Sequence, residues 1–260
     1  MSLRKSLLIA SLILAPSMSQ CNETDIALIA DNVDWAHPIY ATEFDSPGIL
    51  QDWSLEGGQS ISIENGRLLL KSEGINTKPA KGNHLVAWLN VEVPGSFYLE
   101  FDFRPKDKQQ GLTIVFFNTR GVNGESIFDP ELAARDGTFT QYHSGDLNGY
   151  HLSYWSGARK ASNLRKNRGF TLIANGEDPI ANDQTDKFHR IGIYKNDGLI
   201  RYYVDGELAL EHLDDPSNDG PAWNHSGWIG LRQMDHTHWA EYERLAVYPL
   251  KTKSDKTSGQ

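Results

Sequence analysis

The chain has 260 residues, of which 39% are hydrophobic, and it carries a formal net charge of −9. This length suffices for one sizeable hydrophobic core, and the acidic balance argues against a nucleic acid or an anionic membrane held by bulk electrostatics. The single cysteine, Cys21, excludes an internal disulfide and a cysteine-rich metal site.

Residues 1–20 have the pattern of an export signal. Arg4 and Lys5 precede an apolar run from Leu7 to Ala15, and small residues follow. The run is too short to remain as a membrane span. Cleavage would leave a lead-in over residues 21–36; alternatively, Cys21 carries the lipid of a bacterial lipoprotein, although Gln20 is an unusual neighbour for that route. Both routes predict an exported protein, either secreted or held in the periplasm or at the outer membrane.

Residues 37–250 have the pattern of one β domain, and residues 251–260 that of a disordered tail. Alternating or continuous apolar segments of strand length recur at 60–63, 67–71, 85–93, 96–104, 112–118, 149–155, 170–174, 188–195, 199–204, 207–212, 227–233 and 240–249. Tight turns at Asn196-Asp197-Gly198 and Asp205-Gly206 join three of them into a meander. We expect an all-β fold, an antiparallel β-sandwich of the jelly-roll type.

The stretch from Gly124 to Phe170 mixes histidines, tyrosines, carboxylates and cations in a way that a core does not need. His143 lies in a loop near Asp146 and suits a general base near neutrality. Alternatively, Asp146 and Asn148 cap a turn and His143 satisfies a loop carbonyl. On the strand that follows, alternation places His151 and Trp155 on one face and Tyr154 on the other.

Five cations stand within ten residues with no acid between them: Arg159, Lys160, Arg165, Lys166 and Arg168. A positively charged segment in an acidic protein indicates a binding site for an anion, because a guanidinium matches a carboxylate or sulfate with two hydrogen bonds. Alternatively, the run is a solvated basic loop.

Three further patterns in the sequence bear on a catalytic or metal site. Arg232 alternates onto the solvent side of its strand, whereas the following Asp235, His236 and His238 lack a diagnostic metal spacing, so we expect no metal. Glu100-Phe101-Asp102-Phe103-Arg104 resembles the catalytic strand of laminarinase-like hydrolases, but Arg104 replaces the third carboxylate. Glu125 and Asp129 are the carboxylates left for a hydrolase.

Several segments together resemble the YesU-like bacterial family, a domain of unknown function with a concanavalin-like jelly-roll fold. They are SLEGGQSISIENGRLLL, GESIFDPELAARDGTFTQYHSGDLNGYHLSYW, SNLRKNRGF, ANGEDPI and GWIGLRQM. The resemblance implies a function in carbohydrate binding or degradation, since such proteins are associated with degradation of acidic plant or algal polysaccharides. It is strongest at Asn163–Phe170, which favours ligand binding by Arg165 and Arg168 and a solvated loop for Arg159 and Lys160.

These observations predict a lyase or dehydratase that acts by elimination on acidic (uronate or sulfated) oligosaccharides or polysaccharides and needs no cofactor. His143 would be the base, Tyr142 or Tyr154 the proton donor and Arg165 part of the charge clamp. Substrate-binding candidates are Asn148, His151, Trp155, Arg168, Arg232 and Gln233. The alternatives are a non-catalytic carbohydrate-binding module and a glycoside hydrolase.

Overall fold

The computed structural model describes residues 29–72, 83–106, 108, 111–219 and 223–252. The predicted export signal, Cys21 and most of the predicted tail over 251–260 lie outside the described residues. Within the described ranges, no helix has the length and apolar character needed to cross a membrane.

Antiparallel strands make up most of the regular structure in these ranges. They are β1 (Tyr40–Thr42), β2 (Trp53–Gly57), β3 (Ser60–Ile63), β4 (Leu68–Lys71), β5 (Leu85–Leu89), β6 (Phe97–Pro105), β7 (Thr113–Gly121), β8 (Leu147–Tyr154), β9 (Ala161–Lys166), β10 (Thr171–Glu177), β11 (His189–Asn196), β12 (Leu199–Val204), β13 (Glu207–Leu213), β14 (Trp228–Gln233) and β15 (Trp239–Pro249). The helices are short: helical residues 29–32, α1 (Thr140–His143), α2 (Pro216–Asp219), and 3₁₀ helices at Pro47–Asp52 and Asp235–Thr237.

The strands form two sheets, and the predicted all-β sandwich is confirmed. The eight-stranded sheet has the order β13-β12-β11-β6-β15-β4-β3, with β1 paired to β15. The seven-stranded sheet has the order β10-β9-β8-β7-β14-β5-β2. The expected meander is present, since β11 pairs with β12 and β12 with β13.

The main core lies between the sheets, because alternate residues of each strand face inward. On β6, Leu99, Phe101 and Phe103 join this core, whereas Glu100 and Arg104 lie on the outer face and are partly exposed. The same alternation along β8 and β14 decides which side chains can meet a ligand on an outer face.

Strand β9 lies where the sequence suggested a basic loop. Its inward-facing residues are Ser162, Leu164 and Lys166. Since only Leu164 is apolar, the sequence lacks the apolar alternation that predicts a strand. The Lys166 ammonium lies inside the sandwich, 2.9 Å from the Asp214 carboxylate. Lys166 therefore does not belong to the surface patch of cations.

Residues 122–146, which we call the cover segment, link β7 to β8 and lie on the outer face of the seven-stranded sheet. Their apolar side chains form a second buried cluster with that face. The cluster comprises Val86, Trp88, Ile114, Phe116, Ile127, Tyr142, Leu147 and Trp228, with Leu132 and Phe139 packed against it. Part of this outer face is therefore covered by the protein itself.

At one edge of the sandwich, the terminal strands β10 and β13 of the two sheets lie next to each other. A Cβ atom at Gly176 would lie 2.6 Å from the carbonyl oxygen of Ala209, so only glycine fits without a backbone shift.

Candidate functional site

The cover segment is anchored by Glu56 of β2. Its carboxylate accepts hydrogen bonds from the Tyr142 hydroxyl at 2.7 Å and from Arg135 Nη2 at 2.6 Å. The amide of Gly137 donates to the same tyrosine oxygen at 3.1 Å. These bonds fix α1 and Phe139 over the sheet.

Arg232 lies on the outer face of β14, but the cover segment buries it fully. Its Nη2 donates to the Gly137 carbonyl at 2.8 Å, and its guanidinium carbon lies 4.7 Å from the Tyr142 ring centre and 4.9 Å from that of Phe139. Nε and Nη1 have no hydrogen-bond partner among the described residues. Burial lowers the pKa of Arg232 to about 10, so it is still a cation at neutral pH.

His151 projects from β8 onto the same face and is buried. Its Nδ1 lies 2.9 Å from Asn167 Oδ1, and the Asn167 amide nitrogen donates to the Tyr142 carbonyl. Since the Asn167 nitrogen donates to Tyr142, the atom that faces His151 is the Asn167 Oδ1 oxygen, which can only accept. The His151 proton is therefore on Nδ1, and the lone pair is on Nε2. Burial lowers the pKa of His151 to about 3, so the ring is neutral.

His143 ends α1 and forms a cluster of three rings with Phe139 and Phe170, whose own ring centres are 5.3 Å apart. The ring centres of Phe139 and Phe170 are 4.6 and 5.0 Å from that of His143. The Gly169 amide donates to the His143 carbonyl at 2.9 Å, which joins α1 to the β9–β10 turn. Burial, with a smaller contribution from Arg232, lowers the pKa of His143, so this partly exposed imidazole is neutral near pH 7.

Two more cations line the open part of the face. Arg165 pairs directly across from His151 in the β8–β9 register, and its guanidinium carbon lies 4.0 Å from the Phe170 ring centre. Arg159 Nη2 donates to Ser153 Oγ at 2.8 Å. Arg159 is exposed in the turn before β9, as the sequence predicts, and its contact with Ser153 of β8 brings its guanidinium to the open part of the face.

The open part of the face thus presents the neutral His143 imidazole with the guanidiniums of Arg159 and Arg165. The neutral His151 and the cationic Arg232 lie buried beneath it. Phe139 and Phe170, which contact histidine and arginine side chains of this face, were not predicted from the sequence. A single phenylalanine in a sequence does not show whether its ring lies at a binding site or in the core. Such a surface can bind an anion beside a group able to accept a proton.

Three predicted site residues lie inside the sandwich and require correction. Tyr154 is fully buried, with its ring 5.0 Å from that of Phe103 in the main core. Trp155 is also in the core, because a backbone φ of 52° ends the alternation of β8. Gln233 faces inward and donates to Ser72 Oγ at 2.8 Å. None of the three reaches the outer face.

The remaining predicted residues have mixed placements. Tyr142 is at the site, but burial raises its pKa strongly and its hydroxyl proton is committed to Glu56, so its assignment as proton donor is also corrected. Asn148 is buried and shares the strand side of Tyr150, which faces the core. Arg168 is exposed in the β9–β10 turn.

The carboxylates considered for hydrolysis do not meet at this face. Glu125 Oε2 accepts from the Asn123 amide at 2.9 Å, and Asp129 Oδ1 accepts from the Glu131 amide at 2.9 Å, so both stabilise local turns. Glu100 lies on the outer face of the other sheet. Among the described residues, no cluster of three or more histidine, cysteine or acidic side chains could hold a metal ion.

Comparison with known proteins identifies close relatives. Residues 37–247 match the family described as "Domain of unknown function (DUF1961)". The uncharacterized protein YesU of Bacillus subtilis (strain 168) is 37% identical over 217 residues, which is 81% of this chain and 94% of that protein.

Solved structures give the same picture of the fold. A Bacillus subtilis protein of unknown function with a galectin-like fold aligns with a TM-score of 0.74 and 35% identity, over 84% of this chain and 98% of that one. The endo-β-1,3-glucanase of Pyrococcus furiosus aligns with a TM-score of 0.58 and 16% identity, over 85% and 99% of the two chains. At that identity the second likeness concerns the fold alone.

Proposed function

We propose, from the premise that this chain belongs to the DUF1961 family, that it binds an acidic oligosaccharide on the outer face of its seven-stranded sheet and breaks a C–O bond in it by elimination. The observation that carries the proposal is that the neutral His143 imidazole and the Arg165 guanidinium both contact Phe170, whose ring centre lies 5.0 Å from the His143 ring centre and 4.0 Å from the Arg165 guanidinium carbon. Export by residues 1–20, with or without a lipid on Cys21, is part of the proposal.

The local charges support an anionic ligand. Arg165 and Arg159 add two positive charges at the open part of the face, and Arg232 adds a third beneath Phe139. Arg165 retains donor capacity beyond its 2.8 Å bond to the Phe170 carbonyl. A uronate carboxylate or a sugar sulfate matches such a fork, whereas the net charge of −9 would repel a long polyanion elsewhere on the surface.

Elimination requires a base, a stabilised anion and a protonated leaving group. The neutral His143 takes the proton from the carbon next to the sugar carboxylate, and Arg165 stabilises the resulting enolate. The C–O bond at the next carbon then breaks to form a double bond, and the departing oxygen needs a proton.

With Tyr154 in the core and the Tyr142 proton held by Glu56, His143 itself returns that proton. The imidazolium formed in the first step supplies it, so the protons balance without a second acid. This route requires the abstracted proton and the leaving oxygen to lie on the same side of the sugar ring.

Binding without turnover is the second candidate, favoured by the loss of both tyrosines as acids. The fold is shared with a glucanase, which supports a carbohydrate ligand. On this alternative, His143 and Arg165 hold the ligand and no bond is broken.

The test is to follow the ultraviolet absorbance of unsaturated product with pectic, alginate and ulvan oligosaccharides. We expect His143→Ala to lower kcat by at least about 100-fold, the usual contribution of a general base. Arg165→Ala should raise KM and lower kcat/KM. Since burial lowers the pKa of His143 below 6.5, kcat/KM should rise with pH and level off with a midpoint below 6.5.

Matched controls are His37→Ala and Arg201→Ala, in an exposed histidine and in an arginine on the other sheet. Both should keep the wild-type rate. Absence of unsaturated product with every oligosaccharide, together with calorimetric binding that Arg165→Ala weakens, would establish the binding alternative. Absence of both binding and product would reject the site.

A further inference from the structure

A cavity of about 730 Å³ lies on the outer face of the eight-stranded sheet, on the side of the sandwich away from the site described above. Its floor is formed by β6, β11 and β12 and includes Tyr98, Gly192 and Tyr203. A Cβ atom at Gly192 would lie 2.8 Å from the Tyr98 hydroxyl, so the glycine keeps the floor open. The volume falls in the range of small-molecule sites, roughly 300–1,000 Å³.

One wall of the cavity is an exposed tryptophan held in a fixed position. Trp35 is 42% exposed, and its ring meets Tyr98 and Tyr248 edge-on at centroid distances of 5.5 and 4.9 Å. The backbone before it is tied down by the Val33–Leu250 bridge to the end of β15. A rigid, exposed indole offers an apolar surface at little cost in side-chain entropy.

The charged groups that line the cavity compensate one another. Asp102 accepts from Arg190 Nε at 2.8 Å and from Arg244 Nε at 2.9 Å, and the Lys187 ammonium lies 2.8 Å from the Asp205 carboxylate. With Glu100, three acids face three bases among the described lining residues, so the net charge is zero. A charged ligand would have to break one of these pairs.

Glu100 is the least compensated of these groups. It shares the outer face of β6 with Asp102, but its carboxylate lies 4.0 Å from Arg190 Nη1, beyond hydrogen-bonding distance. Burial raises the pKa of Glu100, in keeping with a carboxylate that has lost water without gaining a close cation. The Tyr98 hydroxyl already supplies one hydrogen bond to this carboxylate, and hydroxyl donors from a ligand would satisfy its remaining acceptor capacity.

We propose that this cavity is a second carbohydrate-binding site, specific for an uncharged oligosaccharide, in which Trp35 stacks on a sugar ring and Glu100 accepts hydrogen bonds from its hydroxyls. The apolar face of a pyranose fits an indole, and a pair of neighbouring hydroxyls fits a carboxylate. The site is independent of His143 and Arg165 and does not require the proposed elimination.

The experiment titrates the full-length protein with cellotetraose, xylotetraose and mannotetraose, followed by isothermal calorimetry and tryptophan fluorescence. We expect at least one of them to bind, with affinity that does not depend on salt because the ligand is neutral. Trp35→Ala should weaken binding at least tenfold and Glu100→Gln at least fivefold. Trp239→Ala is the matched control, since Trp239 is also 42% exposed, and should stay within twofold of wild type.

Arg165→Ala, in the other face, should leave this binding unchanged, which separates the two sites. Binding that survives Trp35→Ala, or that Trp239→Ala weakens equally, would overturn the proposal. So would failure of all three tetrasaccharides to bind while circular dichroism shows a folded protein.

Discussion

At the scale of single residues, His151 is neutral because of its neighbours. Asn167 fixes its proton on Nδ1, and the surrounding rings of Phe116 and Phe170, at 5.8 and 5.7 Å, exclude the water that would stabilise a charge. Its pKa of about 3 makes it a weak base and its burial keeps it from direct contact with a ligand, so His151 is not the proton abstractor.

His151 should make the fold sensitive to acid. Its folded pKa of about 3 lies below the ordinary 6.5, so its stabilising effect is complete above pH 6.5 and is lost as the pH falls toward 3. Each pH unit removes about 1.4 kcal/mol. His151→Gln should therefore lose about 3 kcal/mol less than wild type in free energy of unfolding between pH 7 and about pH 4.5, measured by urea titration.

The exposed His37→Gln variant is the control and should follow the wild-type acid dependence. An identical loss for wild type and His151→Gln would show that His151 is not buried in its neutral form.

Strand alternation could predict part of the site and no more. It correctly separates His151 from Tyr154, but it also carries Trp155 onto the ligand face, because a left-handed residue at the end of β8 leaves no signal in the sequence. Likewise, it places Arg232 on the outer face and cannot predict its burial, which depends on Phe139 and Tyr142 of a distant segment.

At the scale of elements, the cover segment holds its shape through the close approach of Gly137 to β5. Gly137 has a φ of +89°, and a Cβ there would lie 1.9 Å from the His84 carbonyl oxygen. Its own carbonyl accepts from Arg232, so its displacement would also remove that buried cation's hydrogen bond.

Gly137→Ala should lower the free energy of unfolding by about 3 kcal/mol or more and should detach the segment from the sheet. Gly124→Ala is the control within the same segment, since Gly124 has a φ of +93° but an open surrounding. It should cost only about 1 kcal/mol, the strain of a left-handed alanine. Equal losses in chemical denaturation would mean that backbone strain, rather than the close approach, explains the effect.

Elements with a regular apolar pattern were predictable, and those without one were not. The meander of β11 to β13 follows from its alternation and its two glycine turns. Strand β9 was missed because its inward Ser162 and Lys166 are polar. Lys166 is stabilised there by Asp214, which lies 48 positions later in the numbering.

At the scale of the whole molecule, the Lys166–Asp214 pair joins the two sheets through their common interior. Lys166 belongs to β9, Asp214 follows β13, and the Tyr150 hydroxyl also donates to the Asp214 carboxylate. Removing Lys166 would leave the buried Asp214 carboxylate without its directly paired cation, and Lys195 would be the other cation that acts on it.

Lys166→Met should therefore cost about 3–5 kcal/mol in free energy of unfolding. Lys187→Met breaks a pair of similar length, 2.8 Å to Asp205, but its side chain is 55% exposed. We expect that control to cost less than about 1 kcal/mol. If thermal unfolding shows similar losses for both variants, the ion pair in the interior does not join the sheets as described.

The contact at Gly176 bears on how the edge strands β10 and β13 are protected. Edge strands with unpaired backbone groups recruit strands from other molecules and can seed fibres. Because β10 and β13 lie side by side, with the Gly176 position against Ala209, an incoming strand on that flank meets a neighbour rather than open solvent. A bulky residue at position 176 would push β10 and β13 apart and expose their edges to strands of other molecules.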